Sequence, residues 1–261
     1  MLIALEISFT ICIGWLTFKK GSVSKSGLVA LLLISGLFIG LQQIGFLIVL
    51  FSMFASSSLL SKFKSAQKIY LKQVVGVSGP RNATQAISNL GIAVAAFCCY
   101  YIFKHNGFIY AFLGSVASSN ADTWASEIGS LSKKPPLLIT NFKKVQKGLS
   151  GGITLLGTFS GVVGAFFISA VGIAVITIEG INLNLLFGVA FISGTAGFIV
   201  DSYLGALFQA KYKNKDSDAL TEVKNSNLVK GYSWLNNNGV NFISSLFAAI
   251  FAFLLYAWAK K

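Results

Sequence analysis

Long apolar runs separated by short polar stretches organise the chain. Runs at 2–18, 27–41, 43–59, 84–103, 107–121, 152–178, 184–208 and 238–259 approach or exceed the length a helix needs to cross a bilayer. The second, third and fifth are the shortest. Only Gln42, Gln43 and Gly45 divide the second from the third, so a single tilted helix over 27–59 is the alternative, with seven spans instead of eight. The pattern predicts an all-α, polytopic transmembrane bundle: one integral membrane domain over 1–261 with extended loops.

One stretch breaks the pattern. At about 100° per residue, Ser115, Ser119, Asn120, Asp122, Thr123, Ser126 and Glu127 fall within an arc of roughly 160°. Leu113, Ala117, Ala121, Trp124, Ala125 and Ile128 fill the rest. This predicts an amphipathic helix with two carboxylates at opposite edges of a hydroxyl-lined stripe. Intramembrane carboxylates face a cavity or a partner and carry function by default. The bland alternative ends the fifth helix near Asn120 and leaves Asp122 as a cap in water.

Composition agrees with the pattern. With 54% hydrophobic and 11% charged residues, the chain is too apolar for a soluble domain of 261 residues. The net charge is +13. With eight spans and Met1 outside, loops 19–26, 60–83, 122–151 and 209–237 carry 18 of the 21 Lys and Arg. The positive-inside rule then makes those loops cytoplasmic and puts both termini outside. Basic residues spread over four loops suit a topology signal and anionic headgroups, and they give no footprint for nucleic acid. Cys12, Cys98 and Cys99 lie in apolar runs without metal spacing, and His105 is the single histidine, which rules out His-based zinc sites and argues against a serine-type triad. The first run carries Glu6 and has no basic region before it, which reads as an uncleaved span rather than a signal peptide.

The remaining candidates lie around the loops. Ser56, Ser57 and Ser58 precede Lys62, a hydroxyl-and-ammonium surface suited to phosphate or merely a helix end. Gly79, Pro80 and Arg81 lead into a helix whose Gln85 and Asn89, one turn apart, extend a polar track inward. Gly148, Ser150, Gly151, Gly152 and Thr154 do not match a P-loop, but can form a nest of backbone donors at a helix start. Gly194, Gly197, Asp201 and Gly205 share one face, and an acid among positions without side chains is read as space for a ligand or ion in preference to a small-residue packing seam. Asn236, Asn237 and Asn238 open the last run, and Asn241 lies one turn inside it.

Together these blocks, GSVASSNADTWASEIGSLSKKPPLLIT, KKVQKGLSGGITLLGTFSG, GTAGFIVDSYLGALFQ and WLNNNGVN, with FASSSLLSKFK and SGPRNATQAISNLG before them, resemble the DUF92 family over nearly the whole chain. That family contains the TMEM-nineteen-like membrane proteins and the plant and cyanobacterial phytyl-phosphate kinases of tocopherol biosynthesis. The resemblance implies a membrane kinase passing a phosphoryl group from a nucleoside triphosphate, CTP in the plant case, to an isoprenyl monophosphate in a prokaryotic cell membrane. Asn82 and Asn238 stand where the family commonly has an acid.

Phosphoryl transfer requires positioning, a divalent ion and donors for the developing charge. Oxygen-rich residues without His or Cys suit Mg²⁺. The expectation is therefore that Asp122, Glu127 and Asp201 converge on Mg²⁺, with Asn120 and Thr123 around them. Lys62, Arg81, Gln85, Asn89, Ser150, Gly151, Gly152, Asn237 and Asn241 then hold the phosphates and nucleotide, while the prenyl tail lies between spans. An ion-coupled transporter or lipid flippase using the same acids is the competing expectation, although no inverted repeat is visible.

Overall fold

The computed structural model describes residues 2–61, 79–213, 220–224 and 227–261. The described residues form eight helices: α1 Leu2–Lys19, α2 Lys25–Gly40, α3 Ile44–Ser61, α4 Ala83–Phe103, α5 Gly107–Gly129, α6 Leu155–Val175, α7 Leu183–Leu207 and α8 Asn237–Ala259. By length and apolarity, α3, α4, α6, α7 and α8 can each cross a membrane, and α2 is a shorter apolar helix. Runs two and three are separate helices. The break is at Gln42, whose φ of 56° takes the chain out of helical geometry.

Successive helices alternate in direction, as cross-chain contacts at the two ends show. At one end Val23 bridges Arg81, Ser61 meets Glu127, and a Cβ on Gly129 would touch Gly157. At the other end a Cβ on Gly45 would strike the Val175 carbonyl, and His105 stacks on Phe253. Polar residues initiate the helices at the first end. Ser24, Asn82, Thr154 and Asn236 each accept a hydrogen bond from the third residue beyond, capping α2, α4, α6 and α8. Asn82 and Gln85 form a full capping box.

Helix α5 is the centre of the bundle, packed against α6, α7, α8 and α4, and its residues Ile109–Ala121 are all buried. Close approach is possible because the facing positions are small. A Cβ on Gly194 would lie 2.6 Å from that of Ala117, and one on Gly197 would strike Ser118. Ala248 of α8 closes the other side of Gly197. The glycines of α7 are thus filled by neighbouring helices, which settles that face as a packing seam and removes the expected ligand space along it. Farther along, Phe38, Phe46, Phe97 and Phe112 interlock, with centroids as close as 4.3 Å.

The fifth helix runs past the end of its apolar run at 121 to Gly129, as the amphipathic reading through Ile128 expected and against an end near Asn120, its polar residues facing other helices and the cavity described below. One predicted boundary moves. The sixth begins at Leu155, since Gly152 and Ile153 form a strand. The all-α expectation also gains two small sheets in the loops. Strands β1 Leu137–Leu138 and β2 Gly152–Ile153 pair antiparallel, and β3 Lys211–Lys213 lies between β4 Leu220–Thr221 and β5 Leu228–Lys230.

A buried polar knot joins these loops to the end of α7. Glu222 accepts from the Ser150 amide and from Gln209 Nε2, both at 2.8 Å, while Lys211 Nζ donates to the Ser150 carbonyl at 2.9 Å. Gly151, at φ 85°, lies so close to Ala206 that a Cβ would strike it. Burial pushes Glu222 up, against the bonds from Ser150 and Gln209. Burial pushes Lys211 down to about 8, with Lys230 adding to the shift and Glu222 opposing it.

The packing seam predicts that Gly194→Val lowers stability by about 1–3 kcal/mol through overpacking, read as a lower melting temperature in detergent. The knot predicts a pH effect. Between about 8 and the ordinary 10.5 the unfolded chain holds a proton that folded Lys211 has released, so this group makes stability rise with pH across that window. Lys211→Met should remove that part of the rise, measured as the difference between the two melting curves over the same window.

Candidate functional site

Near the loop-bearing end just described, α1, α2, α3, α4, α5 and α8 enclose a cavity of about 390 Å³. Its walls are chemically divided. The end nearest the loops presents Arg81, Gln85, Asn89, Asp122, Glu127 and Asn241, with Thr123, Ser126, Asn82 and Asn237 among them. The other end is lined by Phe9, Ile13, Leu31, Ile34, Leu47 and Phe51 with further apolar neighbours. Such a cavity is built for a ligand with a charged head and a hydrocarbon tail.

Asp122 reaches the cavity from α5, and Asp201 of α7 stands behind it, 8% exposed, with the two carboxyl groups close enough to interact. Ser244 Oγ donates to Asp201 Oδ2 at 2.7 Å. Asn241 lies between Asp201 and Asn89. With its amide nitrogen turned toward Asp201, it donates to Asp201 Oδ2 at 3.3 Å and to the Asn237 carbonyl at 3.0 Å, and its oxygen accepts from the Asn89 amide when that amide is turned to match. The acids and amides of four helices therefore meet at one point, as the predicted polar track required.

Glu127 lies on the same wall but takes a different partner: Ser61 Oγ donates to its Oε1 at 2.6 Å. It also stabilises the charge of Arg81, whose pKa burial lowers and Glu127 opposes. The Arg81 guanidinium lies over the Phe54 ring, 5.5 Å from its centroid. Its backbone is fixed by Ser24 N donating to its carbonyl and by its own amide donating to Ser22. Among the described residues no group of three or more His, Cys, Asp and Glu can hold a metal ion. The expected triad is thus a pair, Asp122 with Asp201, and Glu127 belongs with Arg81.

That pair fits a hard divalent ion. Two carboxylates brought together repel each other unless a positive charge lies between them, and a divalent cation there would find an oxygen ligand set, with amide and hydroxyl oxygens nearby. Magnesium also keeps positions for water and phosphate oxygens, so two protein carboxylates suffice.

Other expected site residues lie elsewhere. Asn120 is fully buried and turned away from Asp122. Its Nδ2 donates to the Gly164 carbonyl at 2.8 Å and its Oδ1 accepts from Ser56 at 3.2 Å, locking α5 to α6 and α3. Thr123 lines the cavity while its hydroxyl donates to the Ser119 carbonyl. The amides of Ser150 and Gly152 are taken by Glu222 and by the Leu149 carbonyl, and Gly151 abuts α7, so this segment is a joint between loops and not a phosphate nest. Lys62 lies outside the described residues.

The sequence reading left Ser244 and Glu6 out of the site and took Ser57 only as one of a run of three serines. Ser244 holds Asp201, and Glu6 of α1 lines the cavity. Ser57 lines it too, 1% exposed, with a hydroxyl that has no partner among the described residues. Glu6 and Ser57 had signals, an acid in an apolar run and a triple serine. Ser244 had none.

Comparison with known proteins agrees with this architecture. The family described as integral membrane protein DUF92 matches residues 8–249. The chain is 30% identical to an uncharacterized membrane protein of Methanocaldococcus jannaschii, covering 98% of this chain and 95% of the relative. It is 30% identical to the protein PGR of Arabidopsis thaliana, covering 90% and 89%. To the chloroplastic protein VTE6 of the same plant it is 28% identical, covering 91% and 68%. No solved structure matches the chain. On a match that spans nearly its full length, this chain belongs to the DUF92 family of integral membrane proteins.

Proposed function

We propose that the protein is a membrane prenyl-phosphate kinase, transferring a phosphoryl group from a nucleoside triphosphate to an isoprenyl monophosphate. The observation that carries this reading is the divided cavity, whose Arg81 and paired acids sit at the head of an apolar chamber opening within the bundle. The family resemblance supplies the reaction class and CTP as the donor; similarity to VTE6 supports a prenyl phosphate as the lipid. The loop-bearing end faces the cytoplasm, where nucleotide is available, because the basic loops gather there.

In this reading the tail of the acceptor lies among the α1, α2 and α3 side chains, which excludes water from it. Arg81 holds the acceptor phosphate, and its stacking on Phe54 fixes the direction of its fork of donors. The unpaired Ser57 hydroxyl donates to the same phosphate. Gln85, Asn89, Asn237 and Asn241 offer amides to the neighbouring phosphate oxygens. An oxygen of the acceptor phosphate attacks the terminal phosphorus of the nucleotide. The bond from that phosphorus to its bridging oxygen breaks, leaving a nucleoside diphosphate and a prenyl diphosphate. The nucleophile is already an anion, so no general base is needed, in keeping with a site without histidine. Asp122 and Asp201 would hold Mg²⁺, which when bound neutralises charge on the phosphates. Ser244 and Asn241 keep Asp201 in place for that duty.

Purified protein incubated with Mg²⁺, labelled CTP or ATP and a panel of prenyl phosphates should form prenyl diphosphate. Asp122→Asn and Asp201→Asn should each lower the rate about 100-fold or more while the protein still purifies as a folded membrane protein. Full activity in either variant would remove the pair from the mechanism. Arg81→Lys, which keeps the charge but loses the fork, should raise the KM for the lipid phosphate about tenfold with a smaller change in kcat. Nucleotide-independent uptake of lipid or ions into sealed vesicles, without transfer, would favour the transporter instead.

A further inference from the structure

The cavity carries a second acid that the proposed transfer does not use. Glu6 of α1 lines its apolar part, half-buried, and among the described residues nothing donates a hydrogen bond to it. Its depth follows from the packing. Helices α1 and α3 run in the same direction, and Phe9 meets Phe51 with centroids 6.4 Å apart. Glu6, three residues before Phe9, therefore lies about level with Ile48, three residues before Phe51. From the unpartnered Ser57 hydroxyl to that level is nine residues of α3, about 14 Å along the helix axis. Between those levels the walls are Leu50, Phe51, Met53, Phe54, Ile13 and Leu31, with Thr10 and Ser35 the hydroxyl-bearing residues among them. The chamber is thus mainly apolar and without charge for about 14 Å, and then meets a carboxylate.

We propose that Glu6 sets the far end of the lipid-tail chamber and so selects acceptors by tail length. This rests on reading the cavity as a prenyl-phosphate site. A tail that fills the apolar stretch gains burial with every carbon. A longer tail has to press hydrocarbon against an acid that then loses its water, and an intramembrane carboxylate without a partner is expensive. Thr10, one turn from Glu6 toward the polar end on the same cavity-lining face, gives no countercharge that would relieve the cost.

The test uses the full-length protein in lipid nanodiscs with geranyl, farnesyl, geranylgeranyl and undecaprenyl monophosphates, measuring binding by thermal shift and transfer with labelled CTP. Affinity should rise from geranyl to farnesyl and fall at least about tenfold from farnesyl to undecaprenyl phosphate, given the cost of desolvating the acid. Glu6→Leu should abolish that fall. Glu6→Gln, which keeps the shape and removes the charge, should abolish most of it and covers the case in which the leucine variant does not fold. Affinity independent of tail length, or a fall that persists in both variants, would overturn the proposal. Length-dependent binding relieved by the variants but without transfer would uphold the chamber and reject the kinase. Transfer that ignores tail length would uphold the kinase and reject the role of Glu6.

Discussion

A helix bearing four serines, a threonine, an asparagine and two acids cannot turn its polar face to hydrocarbon, and the rest of the bundle is arranged to prevent it. Every polar atom within a bilayer needs a partner inside the protein or a hydrated cavity. On α5 those partners are specific: Ser115 with Ser245, Asn120 with Ser56 and the Gly164 carbonyl, Asp122 with Asp201. Supplying them requires α6, α7 and α8 to approach closely, which is why the facing positions are Gly164, Gly194, Gly197 and Ala248. What α5 does not spend on its neighbours faces the cavity: Asp122, Thr123, Ser126 and Glu127. The same helix is thus both core and site.

The apolar runs foretold the eight helices, and the helical projection of residues 115–127 foretold an amphipathic α5. The meeting of Arg81, Asn89, Asp122, Asp201 and Asn241 was legible because each is a polar residue where hydrocarbon-facing ones prevail. The partners of the polar face of α5 were not. A hydropathy run stops where polar side chains begin, and periodicity does not say whether they face water or another helix. The same ambiguity put Asn120 on the wrong side. Asn120 and Asp122 are two residues apart on a helix and so point in nearly opposite directions, one into α6 and one into the cavity. The glycines of α7 were read as ligand space because absent side chains mark empty space and close packing equally. Single serines in apolar helices commonly bond to their own backbone, as Ser160 and Ser169 do, so Ser244 gave little warning.

The division of labour between the acids is the part of the site that the coordinates change most. Asp122 and Asp201 are coupled through contact and supported by Ser244, whereas Glu127 balances Arg81 and accepts from Ser61. In the proposed mechanism, a cation at the pair and an arginine one helix away would give two positive centres at one cavity, as transfer between two phosphates demands. The loop knot of Ser150, Gln209, Lys211 and Glu222 stands at the end of α7, fixing the helix that presents Asp201.

Whether the carboxyl pair is a divalent-ion site is the claim on which the chemistry turns, and spin-resonance titration of the purified protein with Mn²⁺ in the presence of nucleotide tests it without relying on turnover. The account predicts one bound ion per chain, displaced by Mg²⁺, abolished by replacing Asp201 with asparagine and retained when Glu127 becomes glutamine. Binding that survives loss of both aspartates, or that vanishes with Glu127 alone, would contradict it.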